Sequence, residues 1–165
     1  MADNDEDFTW APPGTEATPP SATPASMQVL AQYTKDLSFE NPGAGTQMTR
    51  PQISISADIQ IRRAAQIGHF EVILKLRVTA TDEGKTLFLL ELAYGGLFLL
   101  QNIPENDVQP ILLIECPRML FPFARRVVSD VIRDGGLPPF MMEPIDFAAL
   151  YRRKLAEGGF QNGSV

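Results

Sequence analysis

Residues 70–100 read FEVILKLRVTATDEGKTLFLLELAYGGLFLL. Two long apolar runs flank the polar residues 81–84, whose composition is typical of a turn. In the first run apolar and polar residues alternate, and this period of two predicts a strand with one buried face. The buried face carries Phe70, Val72, Leu74, Leu76, Val78 and Ala80. The sequence therefore predicts a β-hairpin that supplies half of a hydrophobic core.

The second apolar run has large side chains on both of its faces. One face carries Phe88, Leu90, Leu92 and Tyr94, and the other carries Leu87, Leu89, Glu91 and Ala93. A solvent-facing surface does not hold two leucines beside a carboxylate without a reason. Two explanations stay open: a second layer or subunit covers these leucines, or they form a docking patch for a partner protein.

Charge is distributed unevenly along the chain. The 165 residues carry a net charge of −6, and residues 1–28 contain five acidic residues and no basic one. The remainder holds 14 basic and 15 acidic residues without a basic stripe, which argues against nucleic-acid binding. The Pro-rich residues 1–28 have too few apolar side chains to offset their ordering entropy, so we predict a disordered extension. Trp10 within it belongs either to a short linear motif or to a solubilising tail.

The cellular compartment can be inferred from simple features. Cys116 is the single cysteine, so no disulfide framework can form within the chain. The N-terminus lacks the basic and apolar regions of a secretory signal, and no apolar run reaches the ~18 residues of a membrane span. We therefore expect a soluble cytoplasmic protein with no direct membrane insertion.

Two further segments alternate as strands do. Residues 31–40 place Tyr33, Lys35, Leu37 and Phe39 on one face, and Thr34, Asp36, Ser38 and Glu40 on the other. Residues 53–62 alternate equally clearly, with Ile53 and Ile55 on the apolar face. The Gly- and Pro-containing residues 41–52 are long enough to cross over the end of a sheet. Together these patterns predict four antiparallel strands.

The C-terminal half predicts two helices. Residues 108–136 should form the first, irregular where prolines interrupt it and closed by a Gly135–Gly136 cap. The second should begin near Pro144 and end at Gly158. The Gly95–Gly96 pair in the fourth strand predicts a bulge or a close backbone approach.

Residues 137–142 read LPPFMM and connect the two helices. Flexible thioether side chains adapt to irregular partners, so this loop is one candidate for a surface that binds many sequences. The alternative is a loop that folds back onto its own core.

Catalytic chemistry has little support. His69 and Cys116 are not placed in a nucleophile motif, and no metal-ligand spacing or phosphate-binding loop occurs in the sequence. The carboxylates of Asp36 and Glu40 lie about 13 Å apart along a strand, farther than the ~5–9.5 Å of paired catalytic acids. We expect no catalytic residues, no metal and no enzyme activity, but a protein that binds other proteins.

Several short motifs, in order, resemble one family. They are YTKDLSFE at 33–40, LRVT at 76–79, GGLF at 95–98, LFPFAR at 120–125 and PIDFAALY at 144–151. In this combination the chain resembles the SecB family of bacterial protein-export chaperones. The resemblance implies an α+β fold in which two helices pack on one face of a four-stranded antiparallel sheet. It also implies a homotetramer built as a dimer of dimers, with a chaperone domain at 29–157 and a flexible tail at 158–165.

The resemblance further implies an activity and its sites. Family members hold unfolded precursor proteins without ATP or a cofactor and deliver them to the SecA motor. SecA docking would involve Asp36, Glu40, Leu89 and Glu91. A client-binding groove would comprise Phe140, Met141, Met142, Phe147, Leu150, Tyr151, Ile53 and Ile55. The alternatives are an adaptor for one fixed partner and a SecB-like chaperone dedicated to a toxin–antitoxin pair.

Overall fold

The computed structural model describes residues 23–158. The elements are β1 (Ser26–Glu40), β2 (Gln52–Arg63), β3 (His69–Asp82), β4 (Lys85–Gln101), α1 (Glu105–Pro110), a π-helical segment (Ile111–Glu115), α2 (Cys116–Asp134) and α3 (Phe147–Ala156). The four strands form one antiparallel sheet in the order β1–β4–β3–β2, which confirms the predicted α+β class. Most of the predicted N-terminal extension and the tail after Gly158 lie outside the described residues.

The first strand begins earlier than the sequence pattern indicated. β1 starts at Ser26, so the last three residues of the segment predicted to be disordered belong to the sheet. They pair with the end of β4, where Met27 lies opposite Leu100. Met27 also packs against the core, which explains why pairing extends this far.

The crossover from β1 to β2 runs past the ends of the two central strands, as predicted. Gly43 N donates a hydrogen bond of 2.9 Å to Leu87 O. A Cβ on Gly43 would lie 2.9 Å from the Leu87 backbone, so only glycine allows this approach. Leu87 is consequently 6% exposed. Of the two explanations for the leucines on the outer side of β4, a covering layer is therefore correct for Leu87, and the layer comes from the same chain.

A bulge in β1 changes which residues share a face. Thr34 pairs with Tyr94 and Asp36 pairs with Ala93, so Lys35 is an extra residue between two successive pairs. Tyr33 therefore shares the outer face with Asp36, and the prediction that Tyr33 lies on the face of Leu37 is wrong. A bulge was predicted at Gly95–Gly96 in β4, but near this position the extra residue lies in β1, the strand that pairs with β4.

The helical region from Glu105 to Asp134 is almost continuous. The backbone of Pro110, at φ −57° and ψ −40°, stays helical between α1 and the π-helical segment. The end matches the predicted glycine cap: Gly136, at φ +77°, donates to Arg133 O, and Leu137 N donates to Ile132 O. This pair of hydrogen bonds is a Schellman motif, which satisfies the last carbonyl groups of α2.

The core lies between the inner face of the sheet and the helices. Leu120 of α2 sits so close to Gly96 that a Cβ there would lie 2.8 Å from it. The close approach predicted for this glycine is present, and the groups that approach it are side chains. Phe98, whose ring lies against the same glycine, is fully buried.

The last helix starts later than predicted. α3 begins at Phe147, and the Asp146 side chain accepts a 2.9 Å hydrogen bond from Ala149 N as its N-cap. Pro144 therefore precedes the helix, because the aspartate, and not the proline, satisfies the free amides of the first turn. Of the helices in residues 23–158, none is long and apolar enough to span a bilayer.

Candidate functional site

The four residues predicted to dock SecA come together on the outer face of the sheet. Glu40 pairs with Leu89, while Asp36 pairs with Ala93, two residues from Glu91. Directly paired Cβ atoms lie about 5 Å apart and diagonal neighbours about 7–8 Å apart, so the four side chains form one patch. We call this patch the docking face.

Basic side chains are interleaved with the acids of this surface. Arg77 pairs with Glu91 across β3 and β4, and its Nη1 lies 3.6 Å from Glu91 Oε1. A shallow outer groove of about 620 Å³ runs along this surface, and its lining includes Asp36, Asp58, Lys75 and Arg77. The outer surface therefore carries charges of both signs. The exposed Arg77–Glu91 pair is worth at most about 1 kcal/mol, so a cationic partner can displace it.

A polar cluster holds the β1 bulge next to the docking face. Tyr33 Oη donates a 2.7 Å hydrogen bond to Glu71 Oε1, and Lys35 Nζ lies 2.6 Å from the same oxygen. Desolvation and the hydrogen bond to Glu71 raise the pKa of Tyr33 to about 12. Desolvation also acts to raise the pKa of Glu71, but the hydrogen bonds from Lys35 and Tyr33 outweigh it and lower that pKa. At neutral pH Tyr33 therefore keeps its phenolic proton and Glu71 is ionised.

Glycine at position 95 makes room for this cluster. A Cβ there would lie 2.7 Å from the Tyr33 ring. We expect Gly95→Ala to lower the free energy of unfolding by about 1–3 kcal/mol, the usual effect of overpacking. Urea denaturation at fixed protomer concentration measures the change. In a Tyr33→Ala background the same substitution should cost much less, and an equal cost in both backgrounds would contradict the assigned contact.

Asp82 fastens the crossover loop to the hairpin turn. Its carboxylate accepts hydrogen bonds from Thr49 N at 2.8 Å and from Arg50 N at 3.2 Å. The backbone hydrogen bond from Thr49 is the main reason why the pKa of Asp82 lies below its ordinary value. The carboxylate form thus holds the loop that leads into β2.

This clasp has a predictable pH dependence. Because the folded-state pKa is lowered, the stabilisation is complete above the unfolded pKa of about 3.9 and is lost as pH falls through the lower folded value. In an NMR titration the amide shifts of Thr49 and Arg50 should move with a midpoint below that of an unperturbed aspartate. Asp82→Asn should abolish the transition, and a midpoint at or above the ordinary value would contradict the clasp.

An apolar groove lies on the other side of the edge strand β2. It measures about 830 Å³ and is bounded by β2, the loop before α3, and α3 itself. Five of the eight predicted client-binding residues line it: Ile55, Phe140, Met141, Met142 and Leu150. Met141 is 68% exposed and Ile55 is 41% exposed, so adaptable apolar surface faces solvent. We call this the client groove.

Three predicted groove residues lie elsewhere. Phe147 is 1% exposed, because its ring packs edge-on against Phe121 with centroids 6.1 Å apart. Tyr151 is half-buried and packs against the same core. Ile53 is exposed on β2 but pairs with Ala80, nearer the crossover, outside the groove lining.

Other lining residues were missed by the sequence analysis. They are Ser56, Ala57, Glu143, Ile145, Asp146, Ala149 and Arg153. The signal for some of them was present, since an aspartate is a favoured N-cap. A helix starting after Asp146 places Ala149, Leu150 and Arg153 on neighbouring positions of one face.

The loop before α3 folds back onto the core in part and leaves one large side chain exposed. Met142 is 1% exposed and anchors the loop in the core. Ser129 Oγ of α2 donates a 2.6 Å hydrogen bond to Phe140 O, and this bond fixes the backbone of Phe140 to α2. Met141 between them faces outward into the client groove. The loop therefore presents one flexible side chain on a fixed backbone.

The residues weighed for catalysis have other surroundings. Cys116 is fully buried, and desolvation together with the charge of Glu115 raises its pKa to about 12. His69 Nδ1 lies 3.1 Å from Ile67 O at the β2–β3 turn. In the part of the chain from 23 to 158, no group of three or more potential ligands could hold a metal ion.

A charged sheet face and an open apolar groove, separated by one edge strand, define a protein that binds other polypeptides. The sequence model of the family described as "Preprotein translocase subunit SecB" matches residues 20–158. The chain belongs to the SecB family, as its motifs indicated.

Individual relatives agree with this assignment. Protein-export protein SecB of Paramagnetospirillum magneticum is 49% identical over 156 residues, covering 92% of this chain and 99% of that protein. The SecB of Azorhizobium caulinodans is 49% identical over 140 residues, covering 83% and 88%. The solved SecB-like chaperone Rv1957 of Mycobacterium tuberculosis, in complex with a ChAD peptide from the HigA1 antitoxin, has the same fold with a TM-score of 0.63. It is 14% identical and covers 72% of this chain and 90% of that one.

Proposed function

We propose that this protein is an ATP-independent export chaperone that binds unfolded precursor proteins in the client groove and delivers them to SecA in the bacterial cytoplasm. Membership of the SecB family supports export, and the open groove with exposed Met141 and Ile55 is the observation that carries client binding. The proposal involves no catalytic step and no cofactor.

Export is favoured over service to a single dedicated partner. The relatives that share about half of their residues with this chain are protein-export proteins. The antitoxin-bound relative is only 14% identical, so its resemblance concerns the fold alone.

Client binding would rest on apolar burial with little side-chain discrimination. Removing apolar surface from water contributes about 25 cal/mol per Å² whichever residue provides it. Met141 has three rotatable bonds and can adapt to different side chains. Glu143, Asp146 and Arg153 add charged groups to this lining.

SecA would bind the docking face through complementary charge. Asp36, Glu40 and Glu91 offer exposed carboxylates around the half-buried Leu89. A basic partner surface gains most of its association rate from such a pattern, and salt weakens it.

Self-assembly has support on two other surfaces. Met119 and Phe123 lie one turn apart on α2, and both are exposed. β1 is an edge strand with Leu30 and Leu37 exposed. Exposed apolar residues on a helix and an open sheet edge are typical of subunit interfaces, so we propose that these surfaces form the dimer of dimers.

The test is aggregation of denatured, reduced proteins diluted into an excess of this protein without nucleotide, followed by light scattering. Several unrelated clients should be protected at tetramer-forming concentrations. Protection of none would overturn the proposal, and protection of only one would favour a dedicated partner.

A further inference from the structure

One ion pair joins the two binding surfaces of the protein. Lys154 Nζ in the last turn of α3 pairs with Asp58 Oδ1 on β2. Asp58 lies on the outer face, where it pairs with Lys75 of β3. The Lys154 side chain therefore reaches past the edge of the sheet to the outer surface.

The two grooves share a common wall. Ser56 and Ala57 of β2 line both the client groove and the outer groove. On α3, Arg153 lines the client groove, and its neighbour Lys154 lines the outer groove. A change in the position of the last turn of α3 would alter both surfaces.

The two ends of α3 are held differently. Phe147 and Leu150 are buried, and Asp146 caps the first turn, so the beginning of the helix is fixed in the core. Leu155 is exposed, and the last turn contributes no buried side chain. The pair between Lys154 and Asp58 therefore acts on the end of α3 that the core does not hold.

We propose that the Lys154–Asp58 pair is a latch that couples the docking face to the client groove. The inference rests on the proposed function. The Asp58 carboxylate is exposed and lines the same outer groove as Asp36 and Glu91, three and two strands away across the sheet. A basic partner that covers this groove competes with Lys154 for Asp58. Release of Lys154 frees the last turn of α3, opens the client groove and weakens the hold on an unfolded chain. An exposed ion pair limits the effect to about fivefold in affinity.

The first experiment measures the coupling. The dissociation constant of reduced, carboxymethylated lactalbumin is determined with and without saturating SecA. In the wild type, saturating SecA should raise the dissociation constant of lactalbumin about two- to fivefold. By linkage, lactalbumin should raise the dissociation constant of SecA by the same factor. Lys154→Gln should bring this factor to one. Asp58→Lys combined with Lys154→Asp keeps an ion pair but offers a basic partner no carboxylate at position 58, so it too should bring the factor to one. Asp130→Asn removes a comparable ion pair with Arg133 on α2 and should leave the factor unchanged.

The second experiment needs neither partner. Amide hydrogen exchange in residues 153–157 should become several-fold faster in Lys154→Gln and in Asp58→Asn, and return to the wild-type rate in the charge-swapped pair. Unchanged exchange in both variants would overturn the latch, as would equal coupling factors in wild type and Lys154→Gln. If the wild type binds neither lactalbumin nor SecA, the proposed function and the coupling both fail, while the exchange rates still decide whether the latch exists.

Discussion

Replacing Asp36 and Glu91 together by lysine is expected to weaken SecA binding by at least about a hundredfold while client binding stays unchanged. Both carboxylates are exposed on adjacent strands of the docking face. The change replaces attraction to a basic partner by repulsion, which costs several kcal/mol, and each 1.4 kcal/mol is about tenfold in affinity. Titration of SecA by calorimetry at low and high salt measures the effect.

The matched control carries the same change in charge away from this surface. Glu105→Lys with Asp107→Lys alters two exposed acids in the first turn of α1, next to the C-terminal end of β4. This variant should bind SecA within about twofold of wild type, because surface charges remote from the contact are largely screened. Normal SecA binding by the Asp36 and Glu91 variant would show that docking takes place elsewhere.

The sheet could be predicted because its information is local. An alternation of period two specifies a strand and its buried face directly, as in residues 70–80. The docking face was predictable for the same reason: Asp36, Ser38 and Glu40 all follow the bulge, so their alternation is intact. The charge balance of the docking face depends also on β3, because strand pairing brings Arg77 and Lys75 next to the acidic residues of β4 and β1.

The missed features depend on contacts between distant residues. The bulge at Lys35 goes together with a hydrogen bond from Tyr33 to Glu71 and with the room that Gly95 leaves for the Tyr33 ring. Neither partner residue can be recognised from the sequence of β1 alone. Leu87 is covered by Gly43, which lies far from it in the sequence, and only the crossover between β1 and β2 brings the two residues together. Phe147 belongs to the core because α3 starts three residues later than a proline-based boundary suggests.

The client groove was found only in part because its walls come from three separate segments. Met141 was predicted from its adaptable side chain and Ile55 from the family resemblance, whereas Ala149 and Arg153 line the groove only because α3 packs beside β2. Small and charged residues have no apolar pattern from which a groove could be predicted. Of the predicted residues that line the groove, Met141 and Ile55 are the most exposed, and they allow a direct test.

Substituting both Ile55 and Met141 by aspartate is expected to weaken binding of unfolded clients by about a hundredfold or more. Burying one large apolar side chain contributes about 1.5–3 kcal/mol, and the variant loses two such contributions while placing two charges in an apolar groove. Because both side chains are exposed in the free protein, the free energy of unfolding should change by less than about 1 kcal/mol. Fluorescence anisotropy of labelled, carboxymethylated lactalbumin gives the affinity, and urea denaturation checks the fold.

A matched control separates loss of the groove from added negative charge. Ile67→Asp with Gln66→Asp introduces two carboxylates in the exposed β2–β3 turn, where Ile67 is 99% exposed. This control should keep full client binding, and both variants should bind SecA as the wild type does. The groove variant should thus lose client binding and keep SecA binding, whereas the docking-face variant should lose SecA binding and keep client binding. The two losses are separable because the two surfaces lie on opposite sides of β2. Full client binding by the groove variant would mean that unfolded chains are held on another surface.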